Sequence, residues 1–259
     1  MVENYRKCRE SRLTLIVQKY GGSSLENAEK IRNAANRIIK TCDNGNQVVV
    51  VVSAMGDTTD KLTELAYQMS ENPDPREMDI LLSTGELVSC TLMAMMLRSM
   101  GREAISLSGA QAGIRTDDKY GSARIAGIEP RRVLEELSKD RIVIVAGFQG
   151  INQDENTTTL GRGGSDTSAV ALAAQLGAIR CEVYTDVDGI YTADPKLVPD
   201  ARKLEKIGFE EMLELAAYGA KMNPRSIELG MVYNVPILVA SSFNDSSGTL
   251  IYNPPRKSL

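Results

Sequence analysis

Apolar residues fall along the chain in two alternating rhythms. Short runs with little polar interruption, at 13–20 (LTLIVQKY), 47–54 (QVVVVVSA), 103–108 (EAISLS), 140–148 (DRIVIVAGF), 180–187 (RCEVYTDV), 235–242 (VPILVASS) and 248–252 (GTLIY), predict buried strands. Between them, apolar positions recur three and four apart and predict helices over 25–40, 60–70, 77–100, 130–138, 166–176 and 209–232. The valines at 48–52 leave no polar face, so that strand is expected at the centre of a sheet covered on both sides. Strands alternating with helices predict parallel pairing and an α/β fold, a three-layer α/β/α sandwich with a mainly parallel central sheet. The polar segment 152–164 is expected to be the longest loop.

Loops at the carboxyl ends of parallel strands are where open α/β sheets take their ligands. Three such junctions carry unusual chemistry. In KYGGSS, Lys19, Gly21 and Gly22 join a strand to a helix expected to begin near residue 25; glycines allow close backbone approach, free N–H groups at a helix start attract anions, and the lysine adds a full charge. The GxxxxGK[ST] spacing of a Walker loop is missing, and a plain strand-to-helix turn is the competing reading. GRGGSD, 161–166, repeats the arrangement with Arg162 and Asp166. Here Ser165 and Asp166 are candidate helix N-caps, and the bland alternative leaves Arg162 a solvated loop residue. YTDVDGIYTADPK, 184–196, crowds Asp186, Asp188 and Asp194 at a strand end. It reads either as a calcium loop, without the EF-hand spacing, or as the edge of a nucleotide site.

Composition narrows the chemistry. The 259 residues are 42% hydrophobic and 25% charged, with net charge −4 and dispersed lysines and arginines, so no nucleic-acid footprint is present. The four cysteines are far apart and the chain has no histidine, which removes His-dependent triads and His-metal sites and makes zinc or disulfide frameworks unexpected. The N-terminal dozen residues are polar, and the apolar run at 87–97 is about half the length of a membrane span. A soluble, cytoplasmic protein with no membrane partner is the expectation. Two glycine-lined anion sites and a lysine suit phosphoryl transfer, which asks mainly for positioning and charge neutralisation and needs no histidine.

Taken together, VQKYGGSS, VVVVSAMGDTTDKL, LLSTGELVSCTLMAMML, SLSGAQAGIRTD, VAGFQG, TTTLGRGGSDTSAVALAAQLGA, YTDVDGIYTADP and VPILVASSF stand in an order and spacing that resembles the aspartate kinase catalytic domain of the amino-acid-kinase superfamily, over roughly 14–251. The resemblance implies one amino-acid-kinase (carbamate-kinase-like) domain over 1–259, with an amino-acid lobe to about 150 and a nucleotide lobe over 151–259. It implies ATP-dependent phosphorylation of the side-chain carboxylate of L-aspartate, with ATP and magnesium as cofactors, no dedicated protein metal ligands, and a homodimer formed through N-terminal helices. Lys19, Gly22 and Asp166 would be catalytic, Asp166 orienting Lys19. Thr59, Glu86, Phe148, Arg162, Gly164 and Ser165 would hold the amino acid, Arg162 gripping the α-carboxylate and Glu86 answering the α-ammonium. Lys19, Gly21, Gly22, Ser23, Ser53, Thr185, Asp186, Tyr191, Lys196 and Lys221 would hold the nucleotide.

The chain departs from the pattern in three places. Asn223 stands where the family usually has histidine, and Lys196 where it usually has arginine, which loses the planar fork. The ACT-type regulatory domains usual in the family are not in this sequence, which reads either as a stand-alone catalytic form or as a catalytic fragment of a longer polypeptide; the tail YNPPRKSL reads as a terminus, and no intrinsic feedback control is expected of this chain. Two alternatives stay open: a paralogue acting on another carboxylate or an aspartate-like intermediate, and a non-catalytic binding or regulatory subunit. The second is opposed by the presence of Lys19, Arg162 and Asp166.

Overall fold

The computed structural model describes residues 14–219 and 222–254. Its centre is an eight-stranded sheet. In chain order the strands of this sheet are β1 (Thr14–Tyr20), β2 (Asn46–Val52), β3 (Ala104–Leu107), β6 (Ile142–Ala146), β9 (Arg180–Thr185), β10 (Lys206–Gly208), β11 (Ile237–Ser241) and β12 (Thr249–Tyr252). Their spatial order is β10-β12-β11-β9-β1-β2-β6-β3, and every pairing is parallel except β11 with β12. The sheet's strands between β1 and residue 146 lie on one side of β1 and those from residue 180 onward on the other. The order therefore reverses between β1 and β9, the crevice position at which such sheets bind ligands.

Alternation along the strands divides the core into two layers. Residues 48, 50 and 52 of β2 pack with Ile31, Ala35 and Ile38 of α1 (Ala28–Asp43) and with Cys90, Met93 and Leu97. Those last three belong to α3 (Pro75–Ser99), which follows α2 (Thr58–Met69). Residues 49 and 51 face the other way, onto Ala169, Val170 and Leu172 of α5 (Gly164–Leu176) and Val133 and Leu137 of α4 (Arg131–Leu137). The valine run is thus buried on both faces, as its lack of alternation requires. By length and composition α3 could cross a membrane, yet it lies against β3 and β6 with Asp79 and Glu86 on its buried face, the placement of a core helix.

Four sequence expectations are corrected. The segment 209–232 is two helices, α6 (Phe209–Ala217) and α7 (Pro224–Tyr233), because Pro224 has no N–H to continue a helix and instead occupies the first turn of α7 behind the Asn223 cap. The segment 152–164 is not all loop: β8 (Thr157–Thr159) pairs with β7 (Gln149–Ile151). With β4 (Ile114–Thr116) and β5 (Ile125–Ile128) they make a second, four-stranded sheet that no apolar alternation announced. The helix expected near residue 25 begins at Ala28, capped by the Asn27 side chain, and the residues after Gly21 form a single 3-10 turn, Gly22–Ser24. Finally, α5 is capped by Gly163 rather than by Ser165 or Asp166, which both lie inside its first turn.

Candidate active site

Strand β1 ends in the centre of the carboxyl edge, and near its end it carries the only buried lysine among the described residues. Lys19 is 8% exposed, and its Nζ lies 2.6 Å from Oδ1 of Asp166 in the first turn of α5. The contact is a charge contact without hydrogen-bond alignment, since Oδ1 has no hydrogen-bond partner. Asp166 also stands at the helix end whose dipole favours a negative charge. Cβ parity explains the pairing: odd-numbered β1 residues face α5, so a lysine at the end of that face meets whatever α5 presents there.

Next to the pair, the Gly21 N–H donates to the carbonyl of Tyr184 (3.2 Å), which ties the turn to β9, and the Gly56 N–H donates to the carbonyl of Gly22 (3.0 Å), which ties it to the loop after β2. A Cβ at Gly22 would sit 2.7 Å from the Ala54 carbonyl oxygen, so glycine is required for this approach. The Gly22 and Ser23 N–H groups head the 3-10 turn, where no intrahelical acceptor exists for them. Ser53 donates its N–H to the Tyr20 carbonyl and so sits beside the end of β1.

Glu86 comes in from the opposite layer. It is 3% exposed; one oxygen accepts from the Ala54 N–H (3.0 Å), and the other is buried with no partner. Burial pushes its carboxyl up to about 7, against the lowering effect of the Ala54 N–H. Gly85 permits this placement, because a Cβ there would meet Ala54 Cβ at 2.8 Å; the same site is 3.5 Å from Thr58 at the start of α2, next to Thr59.

The third wall is built from the start of α5. A Cβ at Gly147 would touch Ser165, and one at Gly164 would lie 3.1 Å from the Phe148 ring, so two glycines bring the end of β6 and the α5 start together. Phe148 takes a left-handed backbone, φ 67°, with its N–H bonded to Ser168 Oγ. Arg162 is exposed, and among the described residues its guanidinium has no ion-pair or hydrogen-bond partner, while its carbonyl accepts from Asn223 Nδ2 (2.9 Å). Asn223 Oδ1 in turn accepts from the Arg225 N–H and caps α7. The residue in the family's histidine position is therefore a brace for the Arg162 loop.

Across the β1–β9 crevice, the Ser242 N–H and hydroxyl both donate to the Thr185 carbonyl, and Ser24 Oγ donates to Ser242 Oγ (2.7 Å), which joins the 3-10 turn to this side. Thr185 Oγ1 donates to the exposed Asp186. Tyr191 forms its own group, its hydroxyl bonded to Asp188, which Lys203 also approaches. Lys196 is exposed, with its backbone N–H on Asp194; among the described residues no ion pair or hydrogen bond joins it or Tyr191 to the Lys19 group. Lys221 lies outside the described residues. Sequence reading passed over Gly85, Gly147 and Asp79, whose partners are remote in the chain and leave no local motif.

The arrangement defines a class: an α/β/α protein with a glycine-lined cradle at the carboxyl edge of its parallel strands, charged by a buried lysine–aspartate pair and built to receive anions. The chain belongs to the amino acid kinase family, whose profile matches residues 14–241. It is 58% identical over 241 residues to the aspartokinase of Corynebacterium glutamicum, which covers 92% of this chain and 57% of that relative. Among solved structures it resembles aspartate kinase from Synechocystis (TM-score 0.84, 48% identity, 95% of this chain and 40% of that one). It also resembles E. coli aspartokinase III in complex with aspartate and ADP (TM-score 0.83, 28% identity, 94% and 65%). The chain thus spans a little over half the length of the curated relative it matches.

Proposed function

We propose that the protein transfers the γ-phosphoryl group of ATP to the side-chain carboxylate of L-aspartate, giving ADP and 4-phospho-L-aspartate. The observation that carries this reading is the Lys19–Asp166 pair beside the Gly21–Gly22 turn, with the unpartnered oxygen of Glu86 on the facing wall. Its support from relatives is the 58% identity to an aspartokinase and the likeness to an aspartokinase solved with aspartate and ADP.

The acceptor carboxylate, with a pKa of about 4, is already ionised at neutral pH, so no general base is needed. One of its oxygens forms a bond to the γ-phosphorus as the bond from phosphorus to the β,γ-bridging oxygen breaks. The obstacle is repulsion between two anions. Lys19, aligned by Asp166, and the N–H groups of Gly22 and Ser23 neutralise the transferring group. Arg162 and Ser165 take the α-carboxylate, Glu86 takes the α-ammonium, and Thr59, Phe148 and Gly164 line the amino-acid side. Gly21, Ser53, Thr185, Asp186, Tyr191, Lys196 and Lys221 serve the nucleotide. Magnesium is expected to accompany the ATP phosphates, where it would supply charge neutralisation.

The same reading places an amino-acid half before about residue 150 and a nucleotide half after it, in a cytoplasmic homodimer. Leu65, Met69, Val88 and Met95 stand exposed on α2 and α3 and supply the apolar contact face for a second copy. Light scattering of the purified chain tests the dimer. The activity test is hydroxylamine trapping with ATP, magnesium and aspartate: aspartyl hydroxamate is expected, and its absence, with glutamate or acetylglutamate used instead, would replace the substrate.

A further inference from the structure

Asp79 is a buried carboxylate, 1% exposed, that the proposed chemistry does not use. It lies on the buried face of α3 seven residues before Glu86, about 10 Å along the same helix. Its two oxygens receive the Gly121 N–H (3.0 Å to each), the Thr159 N–H (2.8 Å) and the Thr159 hydroxyl (2.6 Å). An ionised carboxylate has about four acceptor sites, and all are taken. A residue whose capacity is filled in this way has no room for a ligand of its own; what it does is hold its donors.

Both donors flank the Arg162 loop. Thr159 ends β8 three residues before Arg162, and its carbonyl accepts from the Ala123 N–H (2.9 Å). Gly121 packs on Gly161, since a Cβ at Gly161 would lie 3.1 Å from the Gly121 carbonyl oxygen. The chain entering the Arg162 turn is therefore fixed to α3 from two directions. The same rigid helix carries Glu86, whose spare oxygen is buried and unpartnered.

We propose that Asp79 is a positioning residue: it sets the Arg162 loop at a fixed spacing from Glu86, so that one helix gauges the distance between the α-carboxylate and α-ammonium subsites. This inference rests on the amino-acid reading of the site given above. It differs from a plain structural staple in what it moves. Loss of the gauge weakens ligands that bridge both subsites and spares those that use only one.

The test is Asp79→Asn, which keeps the shape but aims an amide donor at N–H groups. In the ATP-dependent hydroxamate assay the KM for aspartate is expected to rise about tenfold or more, with kcat and the KM for ATP within about twofold. β-Alanine, which is aspartate without its α-carboxylate, should inhibit the variant and the wild type equally, so the preference for aspartate over β-alanine collapses. Thr159→Val removes a single donor and should shift the aspartate KM in the same direction by a smaller factor; it carries the test if Asp79→Asn does not fold. Equal weakening of aspartate, β-alanine and ATP, or an unchanged aspartate KM in both variants, overturns the proposal while leaving the activity intact. A wild-type protein inactive on aspartate overturns the functional reading, and this inference with it.

Discussion

Asn223 holds the carbonyl of Arg162 with its side-chain nitrogen while its side-chain oxygen caps α7, so one side chain joins the GRGG turn to the helix that follows the nucleotide-side segment. The two roles are separable. Asn223→Asp keeps the capping oxygen and loses the donor, whereas Asn223→Ala loses both. The first should raise the KM for aspartate several-fold with an unchanged melting temperature. The second should add a cap loss of about 1 kcal/mol, a fall in Tm of about 2–4 °C. Calorimetry and steady-state kinetics on the two variants check this; equal Tm losses would show that the brace serves stability alone.

Arg162 and Asp166 are four residues apart, and the proposed reading gives them different burdens. Arg162→Ala should raise the aspartate KM by about 10–100-fold, the size of a lost charge-assisted pair, with the ATP KM nearly unchanged. Asp166→Ala leaves Lys19 unaligned and should lower kcat by about 100-fold or more. A coupled ADP-release assay separates the parameters, and the reverse pattern would mean that the two roles are exchanged.

On the proposed reading, Glu86 should make aspartate binding depend on pH. Its carboxyl titrates near 7, so below that pH it is neutral and offers the α-ammonium no charge. The aspartate KM should rise as pH falls through 7 and level off above it, and Glu86→Gln should remove this dependence. Stability moves the other way. The folded pKa lies above the unfolded value, so the cost of burying the charge is absent below about pH 4.5, grows between the two values, and is complete above 7. Glu86→Gln should therefore melt higher than the wild type at pH 8 and equally at pH 4; a lower Tm at pH 8 would contradict the assignment.

Gly22→Ala pushes a methyl group to 2.7 Å from the Ala54 carbonyl. The turn and the 54–56 loop cannot both keep their places, so Glu86, bonded to Ala54, shifts as well. Turnover should fall by at least tenfold and the aspartate and ATP KM values should both rise. Isothermal titration with each substrate alone distinguishes this double effect from the single one expected at Arg162.

Seven strands of the central sheet were legible because they are continuous apolar runs, and α1 and α3 because their apolar positions repeat at helical spacing; the eighth strand, β10 (Lys206–Gly208), was missed because three residues carry no run. The second sheet was not: Thr157–Thr159 and Ile114–Thr116 are three residues long, too short for a period, and their partners are set by the fold. Pro224 could have split 209–232 on local grounds alone. The GRGG cap was misplaced because Gly163 reaches a left-handed backbone (φ 75°) that starts the helix before either Ser165 or Asp166 could cap it. In the site, the charged residues and the glycine turns were visible as motifs. The contacts that hold them, Asp79 with Thr159 and Asn223 with Arg162, span 80 and 61 positions and follow only from topology.

β1 pairs on one side with β2 and on the other with β9, where Gln18 meets Glu182 across 164 positions of chain. During synthesis the second edge of β1 therefore stays bare until β9, at residues 180–185, has emerged, and the nascent chain presents an open apolar strand for all of that time. Long-range parallel closure of this kind is slow. The strand that carries Lys19 is made early and completed late, so the newborn chain is open to aggregation at the place where the folded protein sets its buried Lys19–Asp166 pair.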